Sequence, residues 1–185
     1  KQGPVALTLS GLNTHSGATA VNAGTLTAGV ATTGANGAFG NATAVTMTNA
    51  AGAILDVNGF NNTIGSLAGG GTTGGNVTFS SAATLTVGGN NTSTTYAGVI
   101  SGTGGAITKV GTGTLTLSNA ANTYTGSTTI TNGELRLNPS STSASFASPV
   151  NLNAGTLGTT GITANSVITS SSTLQITAHS QINLE

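Results

Sequence analysis

Residues 107–137 hold three of the six formally charged side chains of this 185-residue protein. They are Lys109, Glu134 and Arg136, and the other three are Lys1, Asp56 and Glu185. General acid–base catalysis needs ionisable groups placed around a reacting bond. A carboxylate with two cations in one segment is therefore the first candidate for chemistry, either as part of a catalytic pair or as a recognition spot for a charged ligand.

The distribution of the acidic residues argues against catalysis. Asp56 and Glu134 lie far apart in sequence, and nothing in the pattern brings them together. β-Helical enzymes that cleave polysaccharides need clustered carboxylates or a Ca²⁺ site, which scattered acids do not supply. His15 and His179 have no neighbouring metal ligand, and the chain contains no Cys. We therefore predict no enzymatic activity, no cofactor and no metal site.

The charged residues of 107–137 also have simple structural interpretations. Glu134 and Arg136 are two residues apart, so on a strand they point to the same face. We predict a solvent-exposed ion pair, which contributes about 0–1 kcal/mol to stability. Lys109 follows a Thr near a Gly, so we predict that it lies in a turn with its ammonium group in solvent. Its aliphatic stem would then lie along the neighbouring backbone coil.

The composition excludes several classes of protein. Charged residues make up 3% of the chain and the net charge is zero, although hydrophobic residues reach 36%. Three Lys and Arg residues are too few to neutralise the phosphates of a nucleic acid. A membrane-spanning helix needs about 18 consecutive apolar residues, and the sequence has no such run. A folded core is possible, but without Trp and with few other aromatic residues it must be thin and aliphatic.

Period-two alternation is the main secondary-structure signal. Segments such as ELRL at 134–137 place leucines on one face and polar residues on the other, which is typical of half-buried strands. The segment LDV at 55–57 likewise predicts Asp56 on the outer face, and the Gly and Asn residues between strands predict tight turns. The residues predicted to stack in the core are Leu7, Leu9, Leu26, Leu55, Val57, Leu115, Leu117, Leu135, Leu137 and Leu157.

A long repeat relates two parts of the chain. The block LTLSGLNTHSGATAVNAGTL at 7–26 matches LTLSNAANTYTGSTTITNGEL at 115–135 with one inserted residue, including turn glycines and inward leucines. His15 takes the place of Tyr124, which indicates a packing or turn position rather than a catalytic base.

A shorter period lies within the long one. The motif Gly-x-Leu begins at residues 113, 133 and 155, in steps of 20 and 22 residues. Such a step is too short for an independent domain and fits one coil of a solenoid. We therefore predict an all-β, parallel β-helix with about 20–22 residues per coil and roughly eight or nine coils at most. An antiparallel β-sandwich is the alternative.

One segment resembles a known family. The sequence GVISGTGGAITKVGTGTLTLSNAANTYTGSTTITNGELRL resembles the autotransporter-associated β-strand repeat, found in passenger domains of bacterial autotransporter adhesins. The resemblance makes 53–137 the most complete repeat copy, 5–26 the end of a preceding copy and 138–185 a weaker partial copy, within a single domain at 1–185. It implies a right-handed β-helix that is secreted and displayed at a bacterial cell surface.

The ends of such a β-helix indicate how it works. An uncapped coil exposes unpaired backbone N–H and C=O groups, and neither terminus of this sequence offers a charge cluster or an amphipathic helix as a cap. We therefore predict that subunits stack head-to-tail through their terminal coils into an extracellular structural fibre. The alternative is a stalk or ligand-binding segment of a longer adhesin that contacts carbohydrate or a host surface, to which ladders of outward Thr, Ser and Asn would contribute.

Overall fold

Regular structure in this chain consists of short β-strands. The computed structural model describes residues 1–138, 149–159, 174–176 and 181–184, and these ranges contain no helix. In chain order the strands are β1 (Leu7–Leu9), β2 (Thr19–Val21), β3 (Thr25–Ala28), β4 (Asn36–Gly37), β5 (Gly40–Asn41), β6 (Ala44–Met47), β7 (Ile54–Asp56), β8 (Asn62–Ile64), β9 (Ser66–Gly69), β10 (Asn76–Thr78), β11 (Ala83–Val87), β12 (Thr94–Tyr96), β13 (Ile100–Ser101), β14 (Gly105–Lys109), β15 (Thr114–Leu117), β16 (Thr128–Ile130), β17 (Glu134–Leu137), β18 (Val150–Leu152), β19 (Thr156–Thr159), β20 (Leu174–Ile176) and β21 (Gln181–Leu184).

The strands form three parallel sheets that run along a solenoid of about seven turns. Sheet A contains β1, β3, β7, β10 and β13; sheet B contains β8, β11, β14, β16, β18 and β20; sheet C contains β2, β6, β9, β12, β15, β17, β19 and β21. Each strand pairs with the strand that occupies the same face one coil later. The parallel pairing confirms the solenoid and excludes the β-sandwich, in which the strands would be antiparallel.

The register confirms the predicted coil length in the regular part of the chain. In sheet C, Leu115 pairs with Leu135 and Leu135 with Leu157, in steps of 20 and 22 residues. Elsewhere the coils vary, because Leu26 of sheet A pairs with Leu55, a step of 29 residues. The additional residues of that coil include the antiparallel hairpin β4–β5. The right-handed sense of the coils remains a prediction from the family resemblance.

Aliphatic side chains fill the inside of the coils in continuous columns. In sheet A, Leu26 lies over Leu55, which lies over Val77 and then Ile100, and all four are buried. Burial of one such side chain contributes about 1.5–3 kcal/mol. Of the residues predicted to stack in the core, those that are buried are Leu26, Leu55, Val57, Leu115, Leu117, Leu135, Leu137 and Leu157.

The first strand departs from this pattern. Leu9 is only partly buried against the core, and Leu7 is 46% exposed, so the prediction that Leu7 stacks in the core is wrong. The reason is that β1 pairs only with β3 in the described residues, so Leu7 is covered by a coil on one side alone. Alternation correctly identified a strand at 7–9 but did not reveal how many neighbours the strand has.

Asparagine side chains join successive coils at their corners. The Oδ1 atoms of Asn61, Asn91 and Asn122 accept hydrogen bonds from backbone N–H groups one coil away, at 2.8 to 2.9 Å. Corners have few ladder bonds, so these contacts satisfy backbone donors that would otherwise lack a partner. The frequency of Asn in the sequence is therefore explained by coil-to-coil bonding as well as by turn formation.

Residues 30–43 cover one edge of sheet B. The backbone N–H of Thr63 in β8 donates to Thr32 Oγ1 at 2.9 Å, and the N–H of Gly65 donates to the carbonyl oxygen of Thr43 at 2.7 Å. The N–H of Thr32 in turn donates to the carbonyl oxygen of Asn61 at 2.8 Å. Since these bonds use the groups that another strand would need, the edge of β8 is closed to strand addition.

The two copies of the long repeat have the same local structure. The Nε2 atom of His15 lies 3.1 Å from Thr19 Oγ1, and the hydroxyl of Tyr124 lies 2.7 Å from Thr128 Oγ1. The turn glycines correspond as well, because Gly24 and Gly133 have φ angles of 66° and 62°. A Cβ atom on Gly133 would lie 2.4 Å from the carbonyl oxygen of Gly111, so only glycine fits there.

The two copies nevertheless lie on different faces of the solenoid. In the first copy β1 and β3 belong to sheet A and β2 to sheet C, whereas in the second copy β15 and β17 belong to sheet C and β16 to sheet B. The repeat thus encodes a strand–turn–strand unit rather than a fixed face. Which face the unit occupies depends on the lengths of the coils between the copies.

Candidate functional site

Lys109 is the most unusual charged residue of the chain. It is the last residue of β14 and stands in an inner column of sheet B, with Val87 in one neighbouring coil and Ile130 in the other. It is 1% exposed, so the prediction of a solvated turn lysine is wrong. Alternation places Lys109 inward because it lies two residues after the buried Ile107, and its long stem packs where an aliphatic residue would pack.

Three backbone carbonyl groups bind the Lys109 ammonium group at a corner of the solenoid. Its Nζ atom donates to the carbonyl oxygens of Val110 at 2.7 Å, Gly111 at 3.0 Å and Asn132 at 3.4 Å. An ammonium group has three N–H donors, so each donor has one acceptor. The Asn132 carbonyl belongs to the next coil, and Lys109 therefore links two coils through the interior.

Burial lowers the pKa of Lys109 below its ordinary value, and the negative charge of Glu134 opposes this shift. The pKa of Tyr96 shifts in the opposite direction. It is fully buried in the inner column of sheet C, its hydroxyl donates to the carbonyl oxygen of Gly75 at 2.7 Å, and burial raises its pKa. Tyr96 was not predicted to be a functional residue, and the usable signal was its aromatic side chain at the end of the strand-like segment TTY.

These two pKa shifts predict a maximum in stability at alkaline pH. Between the folded pKa of Lys109 and its ordinary value, the unfolded chain binds more protons than the native one, so the free energy of unfolding rises with pH. Above about pH 10 the tyrosine of the unfolded chain ionises first and the free energy of unfolding falls. Denaturant unfolding from pH 7 to 11 measures this profile. The Tyr96→Phe chain should lose much less stability above pH 10; an equal loss would contradict the assignment to Tyr96.

Glu134 and Arg136 form an ion pair on the outer face of sheet C. Arg136 Nε lies 2.9 Å from Glu134 Oε1 and Arg136 donates a second bond to Oε2 at 3.2 Å. The Arg136 side chain is 36% exposed and that of Glu134 only 16%, because Thr114 also donates to the carboxylate at 3.1 Å. The two side chains lie over Gly158, where a Cβ atom would collide with the carboxylate. The pair is therefore fixed against the sheet and offers a small, internally neutralised surface to a ligand.

Asp56 is satisfied by the structure around it. It lies opposite to Leu55 in the alternation, as predicted, but it is only 9% exposed, because the outer face is covered at this point. Its carboxylate accepts hydrogen bonds from the Ser80 hydroxyl at 2.7 Å, the Ser80 N–H at 3.2 Å and the Asn58 N–H at 3.0 Å. Such a carboxylate organises a turn and a coil-to-coil contact, because three donors already occupy its oxygens.

The charged residues are not brought together into a catalytic group. Asp56 lies in sheet A and Glu134 in sheet C, several coils apart. The described part of the chain has no cluster of three His, Cys, Asp or Glu side chains that could hold a metal ion. His179 and Glu185 lie outside the described residues. Among the described residues, the candidate site is therefore sought on the surface of the solenoid.

A ladder of uncharged polar residues runs along the outer face of sheet B. Thr63, Thr86, Thr108 and Thr129 are consecutive partners in the register, and Asn151 continues the row. Adjacent strands lie about 4.8 Å apart, so the hydroxyl groups form a regular line parallel to the solenoid axis. All five side chains are half-buried, and the Asn151 amide lies 3.5 Å from Thr129 Oγ1. The sequence predicted ladders of outward polar residues but did not indicate which sheet would carry one.

A groove of about 490 Å³ lies at a corner of the solenoid. Its polar lining includes Thr72, Ser118, Asn119 and Asn138, and small Gly and Ala residues provide the rest. The Asn119 amide is already used, because it donates to Ala97 O at 3.0 Å and accepts from the Ala121 N–H at 2.9 Å. The groove is neutral and offers hydroxyl and amide groups, which suit an uncharged polar ligand better than an ion.

Comparisons with known proteins match the repeat found in the sequence. The model of the passenger-associated-transport-repeat matches residues 1–28 and 107–137, the two regions that share the long repeat. The chain is also 39% identical over 135 residues to the adhesin BmaC autotransporter of Brucella suis biovar 1 (strain 1330). The alignment covers 73% of this chain and 4% of that protein, so the chain spans a small fraction of its relative.

No solved structure is significantly similar to the chain. The described ranges also contain no helix that is long and apolar enough to cross a membrane.

Proposed function

Because this chain carries the passenger repeat of bacterial autotransporters, we propose that it is a non-enzymatic, extracellular stalk segment of a surface adhesin. Its role is to provide length and stiffness. The observation that carries the proposal is the continuous parallel register of sheet C, which extends through eight strands from β2 to β21. In such a structure each coil packs only on its neighbours, so coils add length without changing the cross-section.

The chemistry of the outer surface supports a passive structural role. The ion pair of Glu134 and Arg136 is neutralised within itself, and Lys109 and Asp56 are buried with their hydrogen bonds made. Lys1 is half-buried, and its side-chain ammonium group donates to the carbonyl oxygens of Gly3 and Ala23. Surface-exposed acids, bases and metal ligands are what a hydrolytic site needs. The Thr ladder and the neutral groove offer uncharged hydroxyl and amide groups. The ligand class that the sides of the stalk would contact is therefore uncharged carbohydrate.

A second candidate function is end-to-end association of copies of this chain into a fibre. It is favoured by exposed apolar residues in the first coil, where Val5, Leu7 and Leu12 are 76%, 46% and 46% exposed, next to the unpaired edge of β1. The closed edge of β8 limits this association. A second copy can add a strand to sheet A at this end, but not to sheet B. At the edge of sheet C, Lys1 already donates to the Ala20 carbonyl oxygen at 2.7 Å and accepts from the Asn22 N–H at 2.9 Å.

Light scattering and negative-stain electron microscopy of the purified 185-residue chain separate the two functions. A stalk segment of about seven coils, roughly 35 Å long at about 4.8 Å per coil, should stay monomeric at every concentration. Filaments that grow with concentration and disappear in the Leu7→Lys chain would instead support end-to-end association. Closed dimers that do not grow further with concentration would contradict both functions.

Antibody labelling tests the proposed location. Antibodies against this segment should decorate intact cells that produce the whole protein. Labelling that appears only after the cells are permeabilised would contradict an extracellular stalk.

A further inference from the structure

Three Asn-Gly pairs occur in this chain, at Asn36–Gly37, Asn58–Gly59 and Asn132–Gly133. In such a pair the glycine nitrogen, after losing its proton, can attack the side-chain amide carbon of the asparagine. Ammonia leaves and a five-membered cyclic imide forms. Water then opens the ring at either carbonyl and leaves aspartate or isoaspartate. Glycine favours the reaction because it has no side chain to hinder the approach.

The geometry points to Asn132 as a site of spontaneous deamidation, with the Gly133 nitrogen as the nucleophile. The Gly133 N–H donates to Asn132 Oδ1 at 2.7 Å, which holds the attacking nitrogen beside the amide group it must attack. Among the described residues this N–H has no backbone acceptor, so no ladder bond has to break. Asn132 is exposed, and water and hydroxide therefore reach the reacting atoms.

Lys109 assists the step from the interior. Its ammonium group donates to the Asn132 carbonyl oxygen at 3.4 Å, and this carbonyl belongs to the same peptide unit as the Gly133 nitrogen. Loss of the N–H proton places negative charge on that oxygen, and a hydrogen bond from a cation stabilises the charge. Lys109 is thus a positioning and polarising residue for the reaction.

The other two pairs are held in unreactive surroundings. Asn36 lies in β4, and the adjoining Gly37 is buried and pairs with Gly40 in the hairpin. The Asn58 amide donates to the carbonyl oxygen of Ala28 at 3.2 Å, which anchors the group that would have to be displaced. Neither pair has a cation on its peptide carbonyl in the structure described.

Trypsin gives a direct test because Lys1, Lys109 and Arg136 are the only cleavage sites. The peptide 110–136 contains the Asn132 pair alone, and the peptide 2–109 contains the other two. We would incubate the folded chain at pH 8.5 and 37 °C and measure the mass gain of amide-to-acid conversion in each peptide. Electron-transfer fragmentation then locates aspartate and isoaspartate. The isoelectric point should also fall below its starting value of about 6.9.

In the native chain the conversion at Asn132 should be about tenfold faster than at Asn36 or Asn58, which corresponds to a barrier about 1.4 kcal/mol lower. In denaturing urea the three rates should converge. Native rates that are equal at the three pairs, or slowest at Asn132, would overturn the proposal. The Asn132→Gln chain is the matched control and should give no conversion in peptide 110–136 at this pair.

A Lys109→Met chain tests the part assigned to Lys109. Its conversion at Asn132 should be slower in the native state at a temperature where circular dichroism shows the fold intact. The rate in urea should equal that of the parent chain. An unchanged native rate would remove Lys109 from the reaction.

Discussion

Replacing Lys109 with methionine is expected to lower the free energy of unfolding by about 3 kcal/mol, because three carbonyl groups at a partly buried corner lose their donor at about 1 kcal/mol each. Methionine fills a similar volume, so the loss reports the missing ammonium group rather than a cavity. For a chain of this size the melting temperature should fall by roughly 6–12 °C. Thermal unfolding followed by circular dichroism measures the change.

Two variants give the control for this prediction. Ile130→Met changes the next residue of the same inner column and should cost less than about 1.5 kcal/mol, since it exchanges one apolar side chain for another. Arg136→Met removes a surface cation of the same charge and should cost about 1 kcal/mol or less. If Lys109→Met were no worse than these two, the three carbonyl groups would not depend on Lys109.

The second large effect is expected from two leucines that begin the same repeat. Leu115→Ala should cost about 3 kcal/mol, because Leu115 is 2% exposed and its removal leaves a cavity in a stacked column. Leu7→Ala should cost less than about 1 kcal/mol in the isolated chain, because Leu7 is already 46% exposed. The two residues occupy the same place in the sequence repeat, so the comparison isolates the effect of the neighbouring coils.

Denaturant unfolding of the two variants at equal protein concentration measures the difference. Equal losses would show that Leu7 is covered in solution, as it would be if the first coil packed against a second copy. In that case the effect of Leu7→Ala should grow with protein concentration while that of Leu115→Ala should not. The same measurement therefore bears on the fibre candidate.

Lys109 illustrates why part of the site escaped sequence reasoning. The alternation that correctly identified Leu115 and Leu117 as inward residues also places Lys109 inward, two residues after Ile107. The positive charge of Lys109 favoured a position in solvent, and this was given more weight than the two-residue alternation that places the residue inward. Sequence alone did not show that three carbonyl groups converge at this corner, because one of them, that of Asn132, comes from the next coil.

Asp56 escaped for a similar reason. Its position in the alternation was read correctly as opposite to Leu55, but the outer face at this corner is covered by Ser80 of the following coil. Ser80 is 24 residues away in sequence, and only the register of sheet A brings it to the carboxylate. The ion pair of Glu134 and Arg136 was predictable because both partners lie on one strand.

The sequence by itself determined the all-β class, the coil period near 20–22 residues and most of the inward leucines, because these follow from the two-residue pleat of a strand and from the recurrence of local turns. The tertiary structure alone decided which face each repeat copy occupies, which leucine is left uncovered and which charges are buried. These features depend on the lengths of the coils, which vary from one turn to the next. The residue that packs beside a given side chain is therefore set by the length of the coil between the two residues rather than by the local sequence.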